Sequence, residues 1–317
     1  MLTKFYTCLM TNTALTEIAC NTKRAILHTL IYFEIFKYPL RVDELLYFCR
    51  EKNISLEILK EKLQILVKQG LVFQFGVFFQ SQNDATWVPA RLQCNHRADV
   101  FLPIATRKSK LISKFPFVRG VFVSGSLSKH CVRPDGDIDF FIVTTPGRLW
   151  LSRTLLILYK KLILLNSHRY FCVNYFIDSD HLEIEEKNLF TATETVTLLP
   201  LFGGKIFEDF RKSNHWAWRE FPNMPVRSAA RIPDAANSTL KKGLEKVFEG
   251  KLGNWLDKKA MSLTLWFWKR KFRHLNEVDF ELALKSRQYV SKHHPLHFQE
   301  KVLSLYDKLL AEKAGVV

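Results

Sequence analysis

Several familiar signatures are missing from this chain of 317 residues. It has no P-loop, no GxGxxG turn and no Ser-His-Asp arrangement, which removes the common glycine-rich nucleotide loops and the serine-hydrolase triad. Its six cysteines, Cys8, Cys20, Cys49, Cys94, Cys131 and Cys172, form no CxxC pair and no regular framework. A disulfide scaffold is thereby excluded, and reduced thiols in a cytoplasmic protein are expected. Cys94 and His96 lack a second ligand pair for zinc, and Pro295 sets His293 outside the helix expected to carry His297. No continuous apolar run occupies Met1 to Cys20, so no secretory leader is expected. Internal repeats and low-complexity tracts are absent. Negative charge is scarce: 31 acidic against 47 basic residues give a net charge of +16 and a pI of about 9.6. That balance favours anionic partners such as nucleotides or nucleic acid. The most apolar segment, 148–165, is interrupted by Arg153, Lys160 and Lys161, so a buried crossover helix is expected there and no membrane partner.

What the chain does contain is organised around Val121 to Val143. An apolar strand from Val121 to Val123 runs into a Gly125-Ser126 turn, a polar excursion, and a second strand that opens on Asp137-Ile138-Asp139 and continues into Phe140 to Val143. Side chains alternate along a strand, so Asp137 and Asp139 point to one face. Two carboxylates side by side at the start of a buried strand repel unless a cation lies between them. Mg2+, or Mn2+ in its place, suits such a pair, because it is held by one or two carboxylates together with substrate phosphates and water. The turn supplies the other half: glycine permits close backbone approach, and backbone N–H groups with the Ser126 hydroxyl can donate to phosphate oxygens.

This stretch resembles the signature of the DNA polymerase β-like nucleotidyltransferase superfamily: Gly-[Gly/Ser], a spacer of roughly nine to thirteen residues, then Asp-apolar-[Asp/Glu]-apolar. Here Leu127 to Gly136 form the spacer and Asp137 to Phe140 the second half; Ser124 stands where the family usually has an apolar residue. The resemblance is motif-specific across about 120–143. It implies an α+β fold, with a nucleotidyltransferase core built on a mixed sheet near 98–187, and transfer of a nucleotidyl group from a Mg-bound NTP to a hydroxyl or similar acceptor. Asp137 and Asp139 would bind metal, and Gly125 and Ser126 would cradle the β and γ phosphates. Ser128, Lys129 and Arg133 are candidates for further donors or charge, while Asp135 shapes the turn with Gly136.

In the strand expected from Tyr170 to Ile177 the chain departs from the family, whose active members place a third acidic residue there. Asn174 occupies that place; an amide in a central strand needs partners, so it is expected to face the site, where its carbonyl could touch a metal or a bound water, but it brings no charge. Glu183 or Glu185, on a short strand expected at 182–184, are alternatives, with Glu183 favoured because Leu182 and Ile184 flank it. Two readings stay open: an active nucleotidyltransferase, or a catalytically weakened nucleotide-binding protein acting as an interaction module.

The flanks are helical. Residues 1–22 read as an N-terminal extension. Helices near 23–36, 42–50 and 55–69, followed by a hairpin about Gly76, resemble a winged helix-turn-helix over 23–82. Its third helix presents Lys60, Lys62, Gln64, Lys68 and Gln69, so nucleic acid is one expected partner and protein the other. The apolar hairpin tip, Phe75 to Val77, argues against a DNA-binding wing. A polar connection is expected over 81–97 and a helix over 98–113. Beyond the core, 188–317 reads as a helical region, with helices at 189–199, 205–218, 240–248, 252–273 and 296–310. Glu194, Lys205 and Arg211 lie on helices that could approach the nucleotide cleft, and Trp255, Trp266, Phe267 and Trp268 are expected in the core.

Overall fold

A computed structural model describes residues 21–165, 169–234, 238–292 and 298–313. The histidines at 293, 294 and 297, and most of the extension expected at 1–22, lie outside these residues. The fold is α+β, with 55% helix, one three-stranded antiparallel sheet and one mixed six-stranded sheet.

The elements expected over 23–82 are present. Helix α1 (21–34) buries Ile26, Leu27, Leu30, Ile31 and Phe33 along one side. Strand β1 (Leu40–Arg41) leads into α2 (Val42–Phe48). Helix α3 (Leu56–Lys68) is capped by Ser55, whose hydroxyl accepts the Ile58 N–H, and buries Leu59, Leu63 and Leu66 at helical spacing. The hairpin β2 (Phe73–Phe75) and β3 (Phe78–Gln80) turns at Gly76 and pairs with β1 in the order β1-β3-β2. This segment shares its hydrophobic cluster with one face of the large sheet, where Phe122, Phe141 and Val143 meet Phe207 and Phe210.

Helix α4 spans Trp87–Ile112, so most of the stretch expected to be a polar connection is helical. Two features explain the difference. Pro89 sits in the first turn, where its missing N–H has no helical partner to lose. Arg91 is buried, its guanidinium 2.6 Å from Glu44 and 3.4 Å from the Tyr38 ring centroid, so a charged residue belongs to the inward face.

The large sheet runs β7 (Leu199–Phe202), β4 (Val118–Val123), β5 (Asp139–Thr144), β6 (Cys172–Asp178), β9 (Val290–Lys292), β8 (Ser286–Arg287). Strand β4 (Val118–Val123) and β5 (Asp139–Thr144) are antiparallel and joined through α5 (Gly125–Ser128). Helix α6 (Leu149–Leu162) is the crossover to β6 (Cys172–Asp178), which is parallel to β5. The second face of the sheet, with Val121, Val123, Phe140 and Ile142, packs in a separate cluster with α4 and α6. No helix among the described residues is long and apolar enough to cross a membrane.

Helix α7 (Leu189–Thr197) ends earlier than expected because Leu199–Phe202 forms strand β7, an edge strand that accommodates Pro200. Helices α8 (Gly204–Ser213) and α9 (His215–Glu220) follow. The C-terminal region is not wholly helical. Between α10 (Thr239–Val247), α11 (Lys251–Lys271) and α12 (Glu277–Ala283) on one side and α13 (Phe298–Glu312) on the other, a hairpin of β8 (Ser286–Arg287) and β9 (Val290–Lys292) adds to β6. A further correction concerns α11: Trp268 is buried as expected, but Trp255, Trp266 and Phe267 are exposed.

Candidate functional site

The two aspartates meet at the mouth of the sheet. Asp137 precedes β5 and Asp139 begins it; oxygens of both carboxylates and the Cys172 sulfur lie within 4.8 Å of one another. Asp139 shares its sheet face with Phe141 and Val143, the face on which α7 also packs.

The turn that faces them requires glycine. Gly125 has φ +67°, and a Cβ there would stand 2.6 Å from Asp139 Oδ2. The bare backbone is therefore what lets the carboxylate approach. Ser124 N–H donates to the Asp139 carbonyl at 3.0 Å, tying the turn to the strand.

Asn174 is brought to the aspartates by an irregularity in pairing. Phe140 pairs with Val173 and Phe141 with Tyr175, so Asn174 has no partner on β5. Such bulges re-aim a side chain. Asn174 Nδ2 donates to Asp139 Oδ1 at 2.7 Å, and its carbonyl oxygen lies 3.0 Å from the Cys172 thiol, which donates to it. The amide thus fixes one aspartate oxygen and offers no negative charge of its own.

A carboxylate from outside the motif reaches the turn. Glu194, on α7, accepts the Gly125 N–H at 3.1 Å through Oε2 and Lys129 Nζ at 2.7 Å through Oε1. Lys129 Nζ also donates to the Gly125 carbonyl at 3.0 Å. Neither Lys205 nor Arg211 joins these contacts. Of the three residues expected on helices that could approach the cleft, Glu194 is the one that reaches the turn, with Thr191, Thr193, Thr195 and Thr197 buried around it.

Glu183 is not part of the site. The short strand expected at 182–184 is absent; Glu183 is exposed and pairs with Lys187 at 2.6 Å. It follows the C-terminal end of β6, whereas Asp139 pairs with Cys172 at the N-terminal end. Six residues of strand separate those ends by roughly 20 Å. Glu185 is likewise engaged elsewhere, with Lys285 at 2.7 Å. Ser128 is buried, donating to the Gly125 carbonyl at 2.8 Å, and so shapes the turn from behind. Ser126 is exposed at the turn. Arg133 is exposed too and donates to the Phe36 carbonyl at 2.9 Å, tying the excursion to the end of α1 rather than to the aspartates.

Electrostatics follow from this crowding. Burial, with the charges of Asp137 and Glu194 nearby, pushes the Asp139 carboxyl up to about 7 from its ordinary 3.8. Burial also raises the Cys172 thiol, keeping it protonated, and lowers Lys160 of α6, whose charge is felt by Cys172 and Asp137. Hard carboxylate oxygens beside a protonated thiol suit Mg2+ or Mn2+ better than a soft, thiolate-seeking ion.

A pH dependence follows with a definite sign. Because the folded-state value of Asp139 lies above its ordinary one, folding favours the protonated carboxyl. Its stabilising contribution is complete below about pH 4 and is lost as pH rises through about 7. Urea unfolding of the metal-free protein from pH 4 to 8 should therefore show wild type losing stability relative to Asp139→Asn by at most about 4 kcal/mol. Parallel curves for the two proteins would contradict the assignment.

Clefts of about 380 Å3, lined in part by Glu34, Trp87 and Leu305, and about 300 Å3, lined in part by His28 and Arg50, open on the N-terminal elements and do not reach the aspartates. The site is recognised by its chemistry. No family model, curated protein or solved structure matches the chain.

Proposed function

We propose that the chain is a Mg2+-dependent nucleotidyltransferase of the polymerase β-like kind, moving a nucleotidyl group from an NTP to an acceptor hydroxyl. The observation that carries this reading is the contact between turn and strand: Asp139 Oδ2 occupies the space a Cβ on Gly125 would need. The mixed sheet, with antiparallel β4 and β5 and a parallel crossover to β6, supports it.

Each residue then has a task. Asp137 and Asp139 hold the metal, which when bound neutralises charge on the triphosphate. The Gly125 N–H and Lys129, with the Ser126 hydroxyl at the rim, receive phosphate oxygens. Glu194 occupies those same donors and must release them; it acts as an internal competitor of the triphosphate and, once displaced, as a third negative charge near Asp139. In the transfer itself the acceptor oxygen bonds to the α-phosphorus while the bond to the bridging oxygen breaks. Pyrophosphate leaves with that electron pair, and the acceptor proton passes to a nearby carboxylate or to water.

Asn174 favours a second reading. Its amide replaces a carboxylate beside Asp139, which spares the ion carried by the nucleotide more than the ion that activates the acceptor. On that reading the protein binds Mg-NTP without transferring it, and the segment at 23–82 engages nucleic acid or protein.

Thermal unfolding with each NTP, with and without Mg2+, tests the common core of both readings. Saturation at a hundred times the dissociation constant should add about 2.7 kcal/mol. Asp137→Asn should remove the shift, and Glu194→Gln should enlarge it, because a neutral amide competes less well for Lys129. The absence of any Mg-dependent shift in wild type would refute the proposal. Transfer of a labelled nucleotide by wild type would decide for the enzyme; binding without transfer would decide for the second reading.

A further inference from the structure

Helix α11 has two unlike sides. One packs inward through Gly253, Asp257 and Trp268. The other carries Leu252, Trp255, Lys259, Leu263, Trp266 and Arg270 at spacings of three and four. At about 100° per residue these six fall within roughly 40° of a single line along the helix. Four of them are large and apolar, and each of those is more than half exposed: Leu252 52%, Trp255 55%, Leu263 55% and Trp266 53%. Such a repeat on an outward face does nothing for the core it points away from, and grouped exposed apolar side chains mark an interaction surface.

Its charge is one-sided. Lys259 Nζ lies 5.8 Å from the Trp255 ring centroid, and the Arg270 guanidinium 5.8 Å from that of Trp266. Lys251, Lys258 and Lys269 run along one flank, all exposed. The acid of this stretch, Asp257, is buried and accepts the Leu151 N–H at 2.8 Å, so the outward side of α11 carries positive charge alone.

We propose that this side of α11 is a peripheral membrane surface, lying in the plane of an anionic bilayer. Leucine and tryptophan side chains enter the boundary between headgroups and acyl chains, while the lysines and arginine extend to lipid phosphates. The absence of a spanning helix among the described residues concerns crossing a bilayer, not lying on one. A second copy of this chain fits less well, since an isologous contact would set the same cations against each other. Single-stranded nucleic acid would stack on indole faces, yet each indole already has a cation over one face, and Leu252 and Leu263 in the same line offer a base nothing. The proposal does not depend on the nucleotide reading.

Vesicle flotation tests it with the full chain. Binding to vesicles of phosphatidylcholine with about 30% phosphatidylglycerol should exceed binding to pure phosphatidylcholine by roughly tenfold or more and should weaken in high salt. Trp255→Glu with Trp266→Glu should abolish it, as should Lys259→Gln with Arg270→Gln; all four side chains are exposed, so the fold is retained, which thermal unfolding verifies. Lys60→Gln with Lys68→Gln, on the exposed face of α3, changes net charge as much as the tryptophan pair does and should leave binding intact. Equal partition onto neutral and anionic vesicles would overturn the proposal, as would equal loss in the α3 variant. If vesicles fail to bind while a labelled oligo-uridine binds wild type and not the tryptophan variant, the surface is a nucleic-acid face and the proposal falls.

Discussion

Replacing Gly125 by alanine is expected to abolish the Mg-NTP response and to destabilise the fold by about 1–3 kcal/mol. Two effects combine. At φ +67° any residue with a Cβ is strained, by about 1–2 kcal/mol. The added methyl would also stand 2.6 Å from Asp139 Oδ2, so the carboxylate must move from its place against the turn. Gly76 provides the control that separates them. It has φ +63° at the hairpin tip, and a methyl there would meet nothing within 4 Å, so alanine carries only the backbone strain. Gly76→Ala should lower stability by about 1 kcal/mol and leave the nucleotide response untouched. Thermal unfolding of both variants, with and without Mg-NTP, distinguishes the outcomes. An undiminished response in Gly125→Ala would mean that the turn is not the cradle.

Arg148→Ala should produce the largest loss of stability, about 3–5 kcal/mol, through a side chain far from the aspartates. Arg148 precedes α6 and is buried. Its Nε donates to the Phe248 carbonyl at 2.9 Å, and its Nη2 to the Glu249 and Gly250 carbonyls at 3.1 and 3.2 Å. Its Nη1 donates to the Gly147 carbonyl at 2.7 Å and to Asn254. Three successive carbonyls between α10 and α11 thus converge on a single guanidinium, and that of Gly250 also accepts the Asn254 N–H at 3.2 Å. Gly253 shows how tight the junction is, because a Cβ there would lie 2.9 Å from Arg148 Nε. Lysine at 148 can reach some of these acceptors but lacks the planar fork, so Arg148→Lys should recover less than half of the loss. Denaturant unfolding of the three proteins checks this, and a change below about 1 kcal/mol for Arg148→Ala would refute the account. The same substitution should loosen α11 and weaken vesicle binding without touching Asp137.

Which parts of this molecule could be read beforehand follows from how local each one is. The caps and apolar repeats of α3 and the hairpin about Gly76 are contained within a few residues, and so is the alternation that puts Asp137 and Asp139 together. The start of α4 was hidden because Arg91 reads as exposed charge until Glu44 and Tyr38 are seen around it. Strand β7 was hidden by Pro200, which suits an edge strand, and the hairpin of β8 and β9 by its shortness; each exists because another strand offers it hydrogen bonds. The outward placement of Trp255 and Trp266 depended on which side of α11 meets the rest of the chain, and composition does not state that.

The site divides in the same way. By itself the sequence determined the Gly125 turn and the aspartate pair, because strand alternation and glycine's freedom at positive φ act over neighbouring residues. Only the tertiary structure decided which further carboxylate reaches the turn. Glu183, a few residues after β6 in sequence, lies beyond the end of that strand remote from Asp139, while Glu194 returns to the turn because α7 packs on the face that Asp139 shares. The physical reason is that helix packing is governed by buried apolar area spread over a whole face, and it delivers a single polar side chain wherever that face happens to dock.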